Sequence, residues 1–383
     1  MLYIRQRVSH GEDLMSGIKS FISTDFLIEA LSFDDVLIEP RFSMIDSRKN
    51  VSTKTKVNAS SQHLSLDIPI ISANMDTVTE SNMANAMADA GGVGCLHRFM
   101  DVDKNINEYK KSPKQTLVSI GIGEKEYERA LSLYENGAYN FVIDVAHGAA
   151  INVVKQYDAL RSALNKNAFI MVGNFATAKS IEEFCERSRS RIKPDAFKIG
   201  IGGGSLCTTR VVTGCGLPTL SSVLDCRSTR RTLVADGGIR NSGDIVKALA
   251  AGASAVMLGS LLSGTEQAPG EIVAFEKNAD TIRYYAKYKE APELLWHKKY
   301  RGSASKDSYI SQNKIASHRA PEGEVTLVKY KGDVKNILNE LVAGLKSGMS
   351  YVNAATLDEL QENTRFYKVT KSGSKESQPH GKI

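Results

Sequence analysis

The sequence predicts an α/β chain folded as one (β/α)8 TIM barrel. Three observations carry this. Eight short apolar runs recur along the chain, amphipathic stretches separate them, and polar and glycine residues gather at one end of almost every run. Runs of Ile, Val and Leu without polar alternation read as strands buried on both faces, as in a parallel sheet covered by helices. Eight such units at even spacing favour closure into a barrel over the runner-up, an open doubly wound sheet.

In chain order the strands are "IPIISA" from Ile68, "GVGCLH" from Gly92, "TLVSIG" from Thr116, "FVIDVA" from Phe141, "FIMVGN" from Phe169, "FKIGIG" from Phe197, "TLVADGG" from Thr232 and "AVMLGS" from Ala255. Helical patterns over 80–90, 124–137, 151–167 and 242–252 lie between them. Gly91, Gly137 and Gly252 stand just before a following strand, where a helix often ends in a left-handed residue. Residues 1–30 read as an N-terminal arm and 31–368 as a single catalytic barrel with no inserted domain. Within it, about 266–323 has few periodic apolar runs and reads as an active-site flap, since long irregular segments in compact enzymes are usually lids or binding loops. Residues 369–383 read as a disordered tail.

Bulk properties narrow the function. Of 383 residues, 42% are hydrophobic and 24% charged, ordinary for a globular protein. The net charge of +6 is spread along the chain with no basic block interleaved with aromatics, which argues against nucleic acid as a partner. No run approaches the ~18 apolar residues of a membrane span. The first residues are too polar for a secretion signal. Five cysteines, with no CxxC pair, argue against a disulfide framework or zinc site and for a reducing compartment, so a cytoplasmic location is expected.

A TIM barrel carries its chemistry at the C-terminal ends of the strands. Those ends hold Asn74-Met75-Asp76, His97, Gly121, Gly123, Asp144, His147, Asn174, Gly202–Cys207, Asp236-Gly237-Gly238 and Gly259-Ser260. The glycine-rich turns after strands seven and eight suit a phosphate held on backbone N–H groups, with Ser205 and Ser260 as added donors. Asp236 suits ribose hydroxyls better than phosphate. Cys207 follows strand six in a flexible loop, with Arg210 three residues on. A thiol there becomes a nucleophile where its surroundings stabilise the thiolate. A cysteine chosen at random is a small buried hydrophobe, and Cys95, Cys185 and Cys226 fit that reading.

The stretches "GIGGGSLCTTR", "ADGGIRNSGDIVKALAAGASAVMLGSLLSGTEQAPGE", "LSFDDVLIEP", "ANMDTVTE" and "YRG…PEG" together resemble the IMP dehydrogenase/GMP reductase family over roughly residues 30–365. The resemblance implies the barrel fold, a homotetramer and a covalent mechanism in which Cys207 attacks C2 of a purine nucleotide monophosphate, GMP or IMP, to form a thioimidate. It implies Thr209 and Glu322 as a proton-handling pair. It places Met75, Ser205, Asp236, Gly238, Gly259, Ser260, Tyr300 and Gly302 at the nucleotide, and Asp144, Asn174, Gly200 and Gly202 at the nicotinamide cofactor. The carbonyls of Gly202, Gly204 and Cys207 are the candidate seat of a monovalent cation, K+.

Within the family, three features point to an NADPH-dependent GMP reductase, which releases ammonia and forms IMP. Only Met100 to Gln115 separate strands two and three, where dehydrogenases usually carry a regulatory CBS pair. "ANMDT" and "IDVAHG" look reductase-like. The short segment between "GSAS" and "EG" has no adjacent Arg-Tyr pair to activate water, Tyr309 and Arg319 lying apart. "YRG", "VMLGS" and "GTEQAPGE" look more like dehydrogenases, so the alternatives are a CBS-less IMP dehydrogenase using NAD, or a divergent member acting on a modified purine nucleotide. The chain departs from both branches at Gly203, where Pro is usual, at Thr219, where Gln is usual, and at "RGSAS". A nucleotide-binding barrel without turnover would have no need of Cys207, Thr209, Glu322 and Asp144 together.

Overall fold

The computed structural model describes residues 27–57, 64–164, 168–276, 294–306 and 321–377. Eight parallel strands close into a barrel: β1 (Ile70–Ser72), β2 (Val93–Leu96), β3 (Leu117–Ile120), β4 (Asn140–Asp144), β5 (Phe169–Phe175), β6 (Ala196–Ile199), β7 (Leu233–Asp236) and β8 (Ala255–Leu258). Each pairs with its neighbour in sequence, and β8 closes on β1 through Val256↔Ile70 and Leu258↔Ser72. Each of the eight expected strands is present. The helices that follow them are α1 (Ser81–Asp89), α2 (Val102–Lys110), α3 (Glu124–Glu135), α4 (Ile151–Leu164), α5 (Ala178–Arg187), α6 (Thr219–Cys226), α7 (Ser242–Ala250) and α8 (Val334–Tyr351). Gly91, Gly137 and Gly252 take φ of 84°, 93° and 123°, conformations that side-chain-bearing residues rarely adopt. Between β2 and β3 there is only α2 and its loops, with no inserted domain.

The strands look apolar throughout because their two faces meet two different cores. Ile71, Val93, Cys95, Leu117, Val142, Phe169, Met171, Ala196, Val234, Ala255 and Met257 fill the barrel interior. Their alternates, such as Val118, Ile143, Ile170, Val172, Phe197 and Val256, pack under the helices. On that outer side Phe175, Phe184 and Phe197 meet edge to face, with centroids 5.3 Å (Phe175–Phe197) and 5.6 Å (Phe175–Phe184) apart. An antiparallel pair, Thr55–Val57 with Leu64–Leu66, contributes Val57, Leu64 and Leu66 to the interior core and so plugs the end opposite the polar rim.

Two expectations change. The segment 266–323 is not wholly irregular: Ile272–Glu276 and Leu294–Arg301 within it form, with Val325–Lys329 just beyond it, a three-stranded antiparallel sheet, with registers Ile272↔Lys298 and Tyr300↔Thr326. Its strands carry runs such as "WHKKYR", polar on both faces, so periodicity concealed them. The expected disordered tail holds a short helix, Lys371–Glu376, capped by the Thr370 hydroxyl. Just before it, Phe366–Lys368 pairs with Val36–Ile38, so the chain ahead of the barrel is tied to the chain behind it. Most of the N-terminal arm (1–26), the flap residues 277–293 and 307–320, and the last six residues lie outside the described residues. Among the described residues no helix is long and apolar enough to cross a membrane.

One buried ion pair braces the barrel wall. Arg161 of α4 donates to Asp195 at 2.5 Å and to the Ala168 carbonyl at 2.7 Å, and Asp195 also accepts the Ile170 N–H at 2.7 Å. Both side chains are almost fully buried, so removing one partner leaves an uncompensated charge. Asp195→Ala is therefore expected to cost about 3–5 kcal/mol, read as a lowered urea midpoint with an unchanged slope; a shift within experimental error would show that the pair carries no such weight.

Candidate active site

The loop after β6 can approach the loop after β7 only because both lack side chains. A Cβ on Gly200, which has φ of 138°, would lie 1.9 Å from the Asp236 carbonyl oxygen, and one on Gly237 would lie 2.9 Å from Gly203 and Gly204 backbone atoms. Arg210 braces the loop from behind. Its Nε donates to the Ile201 carbonyl at 3.2 Å and its Nη2 to the Leu217 carbonyl. These two bonds hold the loop's shape, and Arg210 itself is not among the residues lining the cleft. Thr219, at the start of α6, lies beneath: a Cβ on Gly203 would meet its hydroxyl at 2.6 Å. The two departures from the family pattern, Gly203 and Thr219, are thus in contact.

This loop delivers Cys207, half-buried, to a cleft of 570 Å³. Sγ lies 3.1 Å from the Thr209 hydroxyl, which donates to Glu322 Oε2 at 2.6 Å. The Glu322 backbone is held as firmly as its side chain. Its carbonyl accepts the Thr208 N–H at 3.0 Å, its N–H donates to Ala304 at 3.0 Å, and Gly323 bridges to both Cys207 and Ser305. The returning end of the flap is threaded between the cysteine loop and residues 302–305. Burial pushes the thiols of Cys95 and Cys185 up, and that of Cys226 up to about 12. Those three are inert core residues, and Cys215 is exposed away from the cleft lining.

On one side the cleft has the features of an anion seat. Tyr300, almost fully buried, lies with its hydroxyl 3.3 Å from Ser205 Oγ and 4.0 Å from Met75 Sδ. Burial raises its pKa, with Asp236 adding to the shift and the Ser205 hydrogen bond opposing it, so the phenol stays protonated and can donate. Gly238, Gly259, Ser260 and Gly302 also line the cleft. A Cβ at Gly259 would fall 3.1 Å from Met75 Sδ and 3.2 Å from the Tyr300 hydroxyl, so a side chain on this wall would press on both. Lys331 donates to the Ser260 and Leu261 carbonyls at 2.6 and 3.1 Å, fastening the flap sheet to the turn after β8.

The floor is charged. Lys198 of β6, 3% exposed, places its ammonium 2.8 Å from Asp144 Oδ1 and 2.5 Å from Asp236 Oδ2. Burial would raise the Asp144 pKa, but Lys198, Arg98 and a hydrogen bond from Asn74 outweigh it and hold the group below the usual carboxylate range. Burial would likewise lower Lys198, and the two carboxylates reverse that, so the amine stays an ammonium. Asn174 donates to the Gly200 carbonyl at 2.6 Å and to Asp236 Oδ2 at 3.0 Å; its own Oδ1 is buried and unpaired.

Every site residue expected from sequence lines this one cleft: Cys207, Thr209, Glu322, Met75, Ser205, Asp236, Gly238, Gly259, Ser260, Tyr300, Gly302, Asp144, Asn174, Gly200, Gly202 and Gly204. Five other strand-end candidates, Asp76, His97, Gly121, Gly123 and His147, do not. His97 is buried with Nδ1 accepting the Phe99 N–H and Nε2 3.3 Å from Glu80, and His147 points to solvent outside the lining. Sequence reasoning missed Lys198, Arg98, Phe99 and Glu126, which also line the cleft. A lysine inside the apolar run "AFKIGIG" was the available signal for the first. Among the described residues, no three His, Cys, Asp or Glu side chains converge to hold a metal ion.

Comparison with known proteins agrees with this geometry. The profile of the IMP dehydrogenase / GMP reductase domain matches residues 30–380. The chain is 35% identical to inosine-5'-monophosphate dehydrogenase of Cryptosporidium parvum, covering 92% of this chain and 95% of that one. It is 32% identical to the Borreliella burgdorferi enzyme of the same name, covering 92% and 97%. The crystal structure of inosine 5' monophosphate dehydrogenase from Legionella pneumophila superposes with a TM-score of 0.76 at 40% identity, over 90% of this chain and all of that one. With a closed eight-stranded barrel, a loop cysteine on a Thr–Glu relay and these matches along nearly its full length, the chain belongs to the IMP dehydrogenase/GMP reductase family of oxidoreductases acting on purine nucleotides.

Proposed function

We propose that the chain oxidises IMP to XMP with NAD+, in preference to the GMP reduction expected from its sequence. The observation that carries the chemistry is the relay from Cys207 through Thr209 to Glu322, with donor directions that lead a proton from thiol to carboxylate. The direction of the reaction is supported by the relatives, which are named as dehydrogenases and match almost end to end. The cleft fits a nicotinamide nucleoside beside the purine nucleotide. Asp144 and the unpaired Asn174 Oδ1 are acceptors for ribose hydroxyls, and Gly200 and Gly202 leave the backbone bare.

As Sγ bonds to C2 of the purine, the thiol proton passes to Thr209 and the Thr209 proton to Glu322, which releases it to solvent. Bound NAD+ supplies the acceptor for the hydride that leaves C2. Water then adds to C2 of the thioimidate while Glu322, through Thr209, takes its proton. The C2–S bond breaks with its electron pair returning to Sγ, and the thiol is restored. Ser205, Ser260 and Tyr300 hold the 5'-phosphate, and Asp236 the ribose. K+ at the carbonyls of Gly202, Gly204 and Cys207 belongs to the same reading; Gly204 O already accepts the Cys207 N–H at 3.1 Å, so the ion shares that oxygen with the turn. A homotetramer does too, and exposed Phe42, Met44 and Val211 are apolar surface that an assembly would cover.

One observation favours the reverse chemistry, GMP to IMP and ammonia with NADPH. The sequence from 303 to 323 has no adjacent Arg-Tyr pair, which leaves Glu322 as the carboxylate on the relay. In that reading the relay protonates the departing amine. Absorbance of reduced nicotinamide decides: growth with IMP and NAD+ supports the dehydrogenase. Loss with GMP and NADPH, together with released ammonia and no turnover of IMP, establishes the reductase instead.

Two variants test the relay. Cys207→Ala is expected to lower kcat by about a thousandfold or more while IMP affinity by calorimetry stays within about threefold; near-normal turnover would end the covalent mechanism. Glu322→Gln should slow both the first-turnover burst of reduced nicotinamide and steady-state turnover, the latter by about a hundredfold or more, because the carboxylate takes the proton of the thiol and then that of water. A burst and a steady state both at the parental rates would remove Glu322 from the relay.

A further inference from the structure

Lys198 lies inside the barrel between the two carboxylates assigned above to different ligands, Asp144 to the cofactor ribose and Asp236 to the nucleotide ribose. The backbone is arranged to let it reach both. Across the wall, Asp144 of β4 is level with Gly173 of β5, and Gly173 with Lys198 of β6. A Cβ on Gly173 would stand 2.5 Å from the Lys198 Cβ, so the missing side chain opens the path by which the lysine crosses β5 toward Asp144. On the other side Lys198 is level with Val234 of β7, two residues before Asp236, and both of those face inward. The ammonium then meets Asp144 Oδ1 at 2.8 Å and Asp236 Oδ2 at 2.5 Å, in a site where Lys198 itself is 3% exposed.

We propose that Lys198 is a positioning residue that couples the nucleotide half of the cleft to the cofactor half, because one buried ammonium is shared between both ribose-binding carboxylates. The inference rests on the reading of Asp144 and Asp236 under Proposed function. Three charged groups carry a net single negative charge, so whatever one carboxylate loses the other must balance. With Asp144 neutral, Lys198 pairs with Asp236 alone, draws closer and makes it a poorer acceptor for ribose hydroxyls. With Asp236 neutral, the same happens to Asp144. Asn174 cannot take over, since its amide is already committed to the Gly200 carbonyl and to the Asp236 oxygen that Lys198 holds. Linkage makes the effect reciprocal.

The test is a calorimetric titration of IMP into the protein with no dinucleotide present. Asp144→Asn lies in the cofactor half, yet it is expected to weaken IMP binding by about fivefold or more. In a Lys198→Met background the same substitution should change IMP affinity by less than about twofold, and Lys198→Arg, which keeps the cation, should retain the coupling. A thermal melt establishes that each variant is folded. Should Lys198→Met not fold, the reciprocal arm stands in its place: Asp236→Asn should weaken NAD+ binding in the absence of nucleotide by about fivefold or more. The proposal is overturned if Asp144→Asn leaves IMP affinity within about twofold of the parent, or if its effect persists undiminished in Lys198→Met. A parent protein that binds no IMP overturns the functional reading and the proposal together, whereas a parent that binds IMP without coupling overturns the proposal alone.

Discussion

The site depends on a contact in which no side chain takes part. Gly200 lies against the Asp236 carbonyl and Gly237 against the backbone of Gly203 and Gly204, at spacings that a single Cβ would destroy. That contact closes the loop after β6 onto the loop after β7. It sets the direction in which Cys207 leaves the barrel, brings Asp236 beside Lys198 and lets one cleft hold both a nucleophile and a charged floor. The barrel supplies the rigid mount, with its interior core sealed below by the antiparallel pair over Thr55–Val57 and Leu64–Leu66. The chemistry then needs only short loops, which is why so much of it comes from glycine, serine and threonine.

The relay has a second dependence. Cys207 and Thr209 come from the loop after β6, but Glu322 comes from the end of the flap, over a hundred residues later in the chain. Its register is fixed by backbone hydrogen bonds on two sides, to Thr208 and to Ala304. The flap sheet is in turn tied down by lysines acting on carbonyls: Lys298 on those of Glu266 and Ala268, and Lys331 on those of Ser260 and Leu261. Tyr300, on the middle strand of that sheet, reaches Ser205 in the cysteine loop. The Ser205–Tyr300 contact and the Cys207–Thr209–Glu322 hydrogen bonds therefore share a support, and a flap displaced from the barrel would lose both.

The sequence made the barrel legible because strands buried on two faces have no polar alternation to confuse them, and because helix ends before Gly91, Gly137 and Gly252 were marked by residues that can turn left-handed. It made the cleft legible because polar residues collect at strand ends, and the motif around Cys207 is long. Other features were hidden for identifiable reasons. The flap strands carry lysines on both faces, one of them, Lys298, buried, so neither period is visible. Lys198 sits in an apolar run, where one charge looks like an interruption; its meaning depends on Asp144 and Asp236, 54 residues before it and 38 residues after it. His97 had the right position on the rim but the wrong direction, since both its ring nitrogens are engaged by Phe99 and Glu80.

The same relay can serve either direction of the family's chemistry, so residues around Cys207 do not by themselves select it. Both directions pass through a purine bonded to sulfur at C2, and both need a carboxylate that exchanges a proton through Thr209. They differ in what meets C2 next: water in one case, a departing or arriving amine in the other. A neutral hydroxyl poised on a carboxylate is suited to either, since water and ammonia both offer a lone pair and a proton at the same atom. Selection must then come from which ligand lies across Asp144 and for how long, because hydride transfer needs the nicotinamide in the cleft and water attack needs that space free. Asp144 is held by Lys198, and Lys198 by Asp236. On the coupling proposed for Lys198, the grip on the cofactor would be set in the floor of the barrel, at a distance from the sulfur, by groups that never touch the reacting carbon.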